Sequence, residues 1–496
     1  MPFRVAEIRD RAQRLQSALA RARYRLRSGL DERSSIASLY GQHRFLRSPG
    51  VLQAIQRDLS EAHGDERRRL KTLFNWVAGQ QIEAELAPLE DELRLWETGT
   101  TVSLAEREIP LRRVPDWIVR AEDRGERLGW EAARHRRIEE AAALRLDVVH
   151  RGREAVVQLG LGEYYEARER LAGLDLQRLE RDARAILEGT EARYRRMFAA
   201  EAEARLDLRE GPPSRADARW LMGMRRLGRH FEIEPFAANL RRAIEVMGLG
   251  RVFDRSVRID IDRRRLKDER SFTAVIDVPG DVRLVVCPLG GWIDARRLLH
   301  ETGHALHYTH ASAALSWEER VLGDDSIGES FGLVFDSLTL DRVWVESATG
   351  LKGDALEDYR QLAGFLRLYR LRRDAARFLW ELELARAQRP GEQADRYAAL
   401  LSEATGFAHH PGTYLTDHRR GFQAARRLRG WMLSSIIIDR LNKRFGAQWH
   451  RTGAAGKFLL EVLSAGRRED AAQLAPQFGV EGLTPEMLLA RVERWQ

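Results

Sequence analysis

The sequence holds one cysteine, Cys287, which excludes an intramolecular disulfide and leads to the expectation of a reducing, cytoplasmic setting. No apolar stretch approaches the roughly 18 residues that a bilayer-spanning helix requires. No apolar segment of the kind found in a secretion signal follows Met1-Pro2-Phe3-Arg4 either. A membrane partner is therefore not expected. Internal repeats, low-complexity tracts and blocks of like charge are also missing. Lys and Arg number 83 against 75 Asp and Glu, so the net charge of +8 is small beside the total. Arg and Glu recur at helical spacing, which reads as solvated helix faces laced with ion pairs rather than a nucleic-acid surface. Nucleic acid is not expected as a partner, and a soluble monomer or homodimer is.

What is present is a chain of 496 residues, 44% hydrophobic, enough to bury a large core. Helical periodicity dominates. It runs over 8–27, 52–62 and 66–96, where Leu70, Phe74 and Val77 fall at i, i+4 and i+7 and Pro88 is expected to kink or divide the helix. An extended excursion is expected over 101–115, followed by helices over 117–159 and 164–208. Gly211-Pro212-Pro213-Ser214, with Asp217 three residues past Ser214 as a capping partner, marks a boundary between an N-terminal helical lobe, 1–210, and a second lobe, 215–496. The β signal is confined. Residues 256–262 alternate, and 272–278 lead through Pro279-Gly280-Asp281 into 282–287, which predicts a hairpin. Its edge strand is a candidate for holding an extended peptide. Helices return after 351, notably over 356–388, with a last helix starting at Thr484-Pro485.

The chemistry centres on His300-Glu301-Thr302-Gly303-His304. Residues four apart share a helix face, so His300 and His304 can present two imidazoles to one zinc ion while Glu301 leans over its open side. Leu298, Leu299, Ala305 and Leu306 supply the apolar stripe that buries such a helix. A catalytic zinc takes three protein ligands and one water, which demands a third ligand downstream. His310 is one candidate, six residues past His304, but the pattern that uses it places a glycine where this chain has His307. Glu329 is the other, 25 residues past His304. Asp325 is expected to cap the helix that carries it.

The run Leu299-His300-Glu301-Thr302-Gly303-His304-Ala305-Leu306-His307, with a glutamate at that distance, resembles the thimet oligopeptidase group, the M3 gluzincin metallopeptidases. The hairpin Ile276-Asp277-Val278-Pro279-Gly280-Asp281-Val282-Arg283 and the helical tail 431–492 are similar to that family too, and the resemblance extends from about 160 to the end. It implies a mainly α, two-lobed helical metallopeptidase with a small β-hairpin or sheet beside the zinc helix and a deep substrate channel. It further implies one Zn²⁺ per chain on His300, His304 and Glu329, zinc-bound water as nucleophile, Glu301 as general base, and short peptides as substrates. Asp336 falls where the family pattern has an acidic residue, with a role orienting a ligand histidine. His409 and Tyr414 match the family's His and Tyr spacing and become the expected oxyanion donors, with His410 and His418 as alternatives. The family's further tyrosines have no counterpart in 418–427. That departure leaves a second reading, a non-enzymatic helical binding protein on a degenerate metallopeptidase fold.

Overall fold

The computed structural model describes residues 3–495; Met1, Pro2 and Gln496 lie outside them. Helices dominate, and two small sheets interrupt them. Seven helices carry the architecture: α1 (Val5–Arg27), α2 (Gly64–Gly99), α3 (Leu176–Arg205), α4 (Trp292–Thr309), α5 (Asp325–Asp336), α6 (Gly353–Arg386) and α7 (Gln423–Phe445). Helices α3 to α7 share one hydrophobic core, in which Ile186, Leu299, Phe331, Phe365 and Trp431 are all buried. The N-terminal helices close a core of their own around Ile8, Leu15, Ile55, Leu73 and Val77. Trp76 packs edge-on against Trp317 at 5.6 Å, and Arg9 pairs with Glu318 at 2.6 Å, tying that core to the segment after α4.

Local expectations meet the structure with three adjustments. Pro88 lies inside an unbroken α2, where the buried neighbours Leu86 and Ala87 hold the chain in helix despite the missing amide donor. The excursion after residue 100 is an antiparallel hairpin, β1 (Thr101–Leu104) with β2 (Arg107–Pro110). Helix resumes at Val114, two residues before Asp116. Ser214 and Asp217 form the expected capping box.

The second sheet positions the site. Its strands β3 (Val257–Asp260), β4 (Phe272–Asp277) and β5 (Asp281–Val285) lie in the order β3-β5-β4, with β4 and β5 an antiparallel hairpin and β3 parallel to β5. Alternation sorts the residues of β4 to two faces. Phe272, Ala274 and Ile276 pack with Ala20 and Tyr24 of α1. Thr273 turns the other way, onto α4, where its hydroxyl reaches Glu301. Among the described residues no helix is long and apolar enough to cross a membrane.

Candidate metal centre

Helices α4 and α5 cross at contact distance because glycines leave room for it. A Cβ on Gly303 would stand 2.2 Å from the Phe331 carbonyl oxygen, and one on Gly332 would stand 2.7 Å from Cε1 of His300. Any larger residue at either place would separate the helices. At this crossing His300, His304 and Glu329 bring their ligand atoms within 4.8 Å of one another. The two Nε2 atoms are 3.3 Å apart, and Glu329 reaches His300 at 3.7 Å and His304 at 4.0 Å.

These residues fit a zinc ion. Two nitrogens on a tetrahedral zinc stand roughly 3.3 Å apart, given bonds of about 2.0–2.1 Å. Oε2 of Glu329 is buried with no hydrogen-bond partner, as expected of an atom reserved for a cation. Burial, and then His304 and Arg427, push the His300 imidazole well below its ordinary pKa, so it is held neutral, the form that binds metal. The group is partly open to solvent: the side chains of Glu329 and His304 are 25% and 16% exposed, that of His300 only 8%. Partial access suits a catalytic rather than a structural metal.

Asp336, seven residues past Glu329, is fully buried and stands 3.8 Å from Nδ1 of His300. Burial works against its ionisation, but Arg370, Arg296 and Arg367 outweigh burial and hold the carboxylate below its usual range. An ionised group facing Nδ1 favours the tautomer that leaves Nε2 free for metal.

Glu301 is anchored by residues that the sequence did not single out. The Ser271 hydroxyl donates to Oε1 at 3.1 Å and Thr273 donates to Oε2 at 2.9 Å, and Thr273 also bonds the Glu301 carbonyl at 3.2 Å. The readable signal was the alternation 271, 273 on the face of β4 opposite its apolar residues. Tyr308, one turn past His304 on α4, and Arg427 of α7 also lie near the group; the Tyr308 hydroxyl accepts from Arg467.

Other expected residues lie elsewhere. His310 closes the end of its own helix, with Nδ1 donating to the Leu306 carbonyl at 3.0 Å, and does not join the metal group. His307 stacks on Phe331 and points Nε2 at the Gly466 carbonyl, 3.2 Å away. The cap of α5 is Asp324, which accepts from the Ser326 amide, while Asp325 pairs with Arg467; the observed cap lies one residue before the expected one. Tyr414 and His409 are not brought to the metal group. Tyr414 packs with Trp380 and Leu384 in a separate apolar cluster, its hydroxyl 3.5 Å from the Gly391 carbonyl. His409 donates from Nδ1 to the Phe407 carbonyl at 2.9 Å, and its ring lies against Tyr397. His410 stacks on His135 at 4.3 Å. His418 is flanked by Arg420, Arg377 and Arg168, and burial pushes its pKa down to about 3. The matching sequence spacing is real, but this segment folds against α6 and the N-terminal helices instead of over the metal group.

No protein-family model and no curated protein matches the chain. Solved structures do. The BsuCP crystal structure superposes with a TM-score of 0.64 at 13% identity, covering 98% of this chain and 97% of that one. Trypanosoma cruzi metallocarboxypeptidase 1 gives 0.60 at 14% identity, over 98% and 99%. The M32 carboxypeptidase from Deinococcus radiodurans R1 gives 0.58 at 15%, over 98% and 97%. The chain thus has the mainly helical fold of these metallopeptidases over 98% of its length. Oligopeptidase and carboxypeptidase action are not distinguished by fold.

Proposed function

We propose that this protein is a zinc-dependent peptidase of short peptides, with His300, His304 and Glu329 as metal ligands and Glu301 as general base. The observation that carries the reading is the three-residue, partly exposed ligand set next to a carboxylate fixed by two hydroxyls. A bound zinc ion supplies Lewis-acid polarisation and acidifies water. Glu301 takes a proton from the attacking water and later delivers it to the leaving amine nitrogen, so one anchored carboxylate serves both halves of hydrolysis. The Asp336 carboxylate, 3.8 Å from Nδ1, biases the His300 ring electrostatically, and Ser271 and Thr273 fix Glu301, which limits the motion that would blur a near-attack geometry.

Of the two modes, oligopeptidase cleavage follows from the resemblance to the thimet oligopeptidase group. Release of single C-terminal residues is suggested by analogy with the two named carboxypeptidases that share the fold. The fold itself does not choose between the modes; the carboxypeptidase mode is taken first only by analogy with those two named proteins. The buried, unpaired Cys287 supports a cytoplasmic location. The test is digestion of a mixed peptide library, read by mass spectrometry, with and without chelator. Stepwise loss of C-terminal residues that stops on chelation is expected, and internal cleavage alone would select the oligopeptidase mode. Zinc-loaded protein with no chelator-sensitive cleavage would select the non-enzymatic binding reading, which the remoteness of Tyr414 and His409 favours.

A further inference from the structure

Peptide hydrolysis puts negative charge on the carbonyl oxygen, and with Tyr414 and His409 turned elsewhere the stretch 418–427 has no tyrosine to receive it. It does carry arginines. Arg420 is committed to Glu83 and Glu90, and Arg426 donates to the Gly421 carbonyl. Arg427 differs in both place and partners. Its helix α7 touches α5 so closely that a Cβ on Gly430 would stand 2.7 Å from the Glu329 Cβ, and Arg427 lies one turn before Gly430. Its side chain is 31% exposed, and its Nε is 3.0 Å from Asp374. Asp374 is held in turn by the Trp431 indole N–H at 3.0 Å. The pairing with Asp374 is one of charge, because Nε makes no hydrogen bond among the described residues. Burial works against its charge, but Asp374, then Glu329, Asp336 and Glu301, outweigh burial and keep it cationic. The result is a partly exposed guanidinium, ion-paired to Asp374 and set among the acids of the metal group.

We propose that Arg427 is the electrophilic catalytic residue of this site, its terminal N–H groups receiving the carbonyl oxygen of the scissile bond as that oxygen becomes negative. The proposal rests on the peptidase reading above. Water oxygen bonds to the carbonyl carbon, the C=O π pair moves onto the oxygen facing Arg427, and the water proton passes to Glu301. The π bond then re-forms, the C–N bond breaks, and the proton moves from Glu301 to the amine nitrogen. A guanidinium suits the role because it presents two parallel donors and stays charged throughout. Asp374 is a positioning residue that holds the guanidinium in place by charge, 3.0 Å from Nε.

The test uses Arg427→Gln, Arg427→Lys and Asp374→Asn with the best-cleaved member of a mixed tetrapeptide library. Its readouts are kcat against KM, zinc content, and affinity for a phosphinic peptide that mimics the tetrahedral anion. Arg427→Gln is expected to lower kcat about 10²–10³-fold with KM little changed. The phosphinic peptide should weaken in parallel, and zinc content should stay at the wild-type level. Arg427→Lys, which keeps charge without the fork, and Asp374→Asn should each lose roughly tenfold in kcat, and they carry the test if Arg427→Gln does not fold. Unchanged kcat, a loss borne by KM alone, or zinc lost from Arg427→Gln would each overturn the assignment. A wild-type protein that neither cleaves the library nor binds the phosphinic peptide would instead overturn the peptidase reading, and the role of Arg427 with it.

Discussion

Gly332 lies so close to His300 that a methyl group there would meet the imidazole at 2.7 Å, and the ring owes its position to that missing side chain. Glu329 precedes Gly332 by one helical turn, so the residue that brings the third ligand and the residue that makes room for the first belong to one face of α5.

Gly332→Ala is therefore expected to displace the ring, lowering zinc affinity about 10–100-fold and costing about 1–3 kcal/mol of stability. Competitive zinc titration and thermal unfolding of the metal-free protein measure the two effects. Gly79, in α2 with nothing within 4 Å of a built Cβ, is the control. Its change to Ala should leave zinc affinity alone and stabilise by up to about 1 kcal/mol.

Thr273→Val keeps shape while removing the donor to Oε2 of Glu301. Full zinc content with kcat down roughly tenfold is the expected outcome, because the base loses its aim but the ligands do not. Unaltered kcat would show that β4 does not position Glu301.

Glu381 supplies a pH prediction away from the metal. Burial pushes its carboxyl up to about 7 from an ordinary 4.5, against the opposing pull of Arg377 and of backbone amides. The folded state then holds a proton that the unfolded chain has already released. Its contribution to stability is fully present below about 4.5 and is lost as pH rises through about 7. Glu381→Gln, which stays neutral, should differ little from wild type in unfolding midpoint near pH 4.5. At pH 8 it should be more stable by up to about 3 kcal/mol. An equal difference at both pH values would contradict the shifted carboxyl.

How much of this was legible before the fold was known depended on how local each signal was. His300, Glu301 and His304 sit on one helix, so spacing alone arranged them. Glu329 is on a different helix, and its choice over His310 needed a family resemblance; the glycine-lined crossing of α4 and α5 is the physical reason it can reach. Thr273 belongs to a readable strand and Ser271 precedes it, but the helix that strand lies against is a tertiary fact. Arg427 is hidden in an arginine-rich stretch that reads as a solvated face. Tyr414 and His409 show the opposite failure, since their spacing matched while Trp380 and Tyr397 drew them into other packing. Pro88 does not divide its helix, because burial around it outweighed the local cost of a missing amide.

The account turns on which residues hold the metal, and elemental analysis of purified wild-type, Glu329→Ala and His310→Ala proteins tests that most directly. One zinc per chain is expected in wild type and in His310→Ala, because His310 is turned into its own helix end, and almost none in Glu329→Ala. A fully loaded Glu329→Ala protein, or an empty His310→Ala one, would contradict the ligand set and the mechanism built on it.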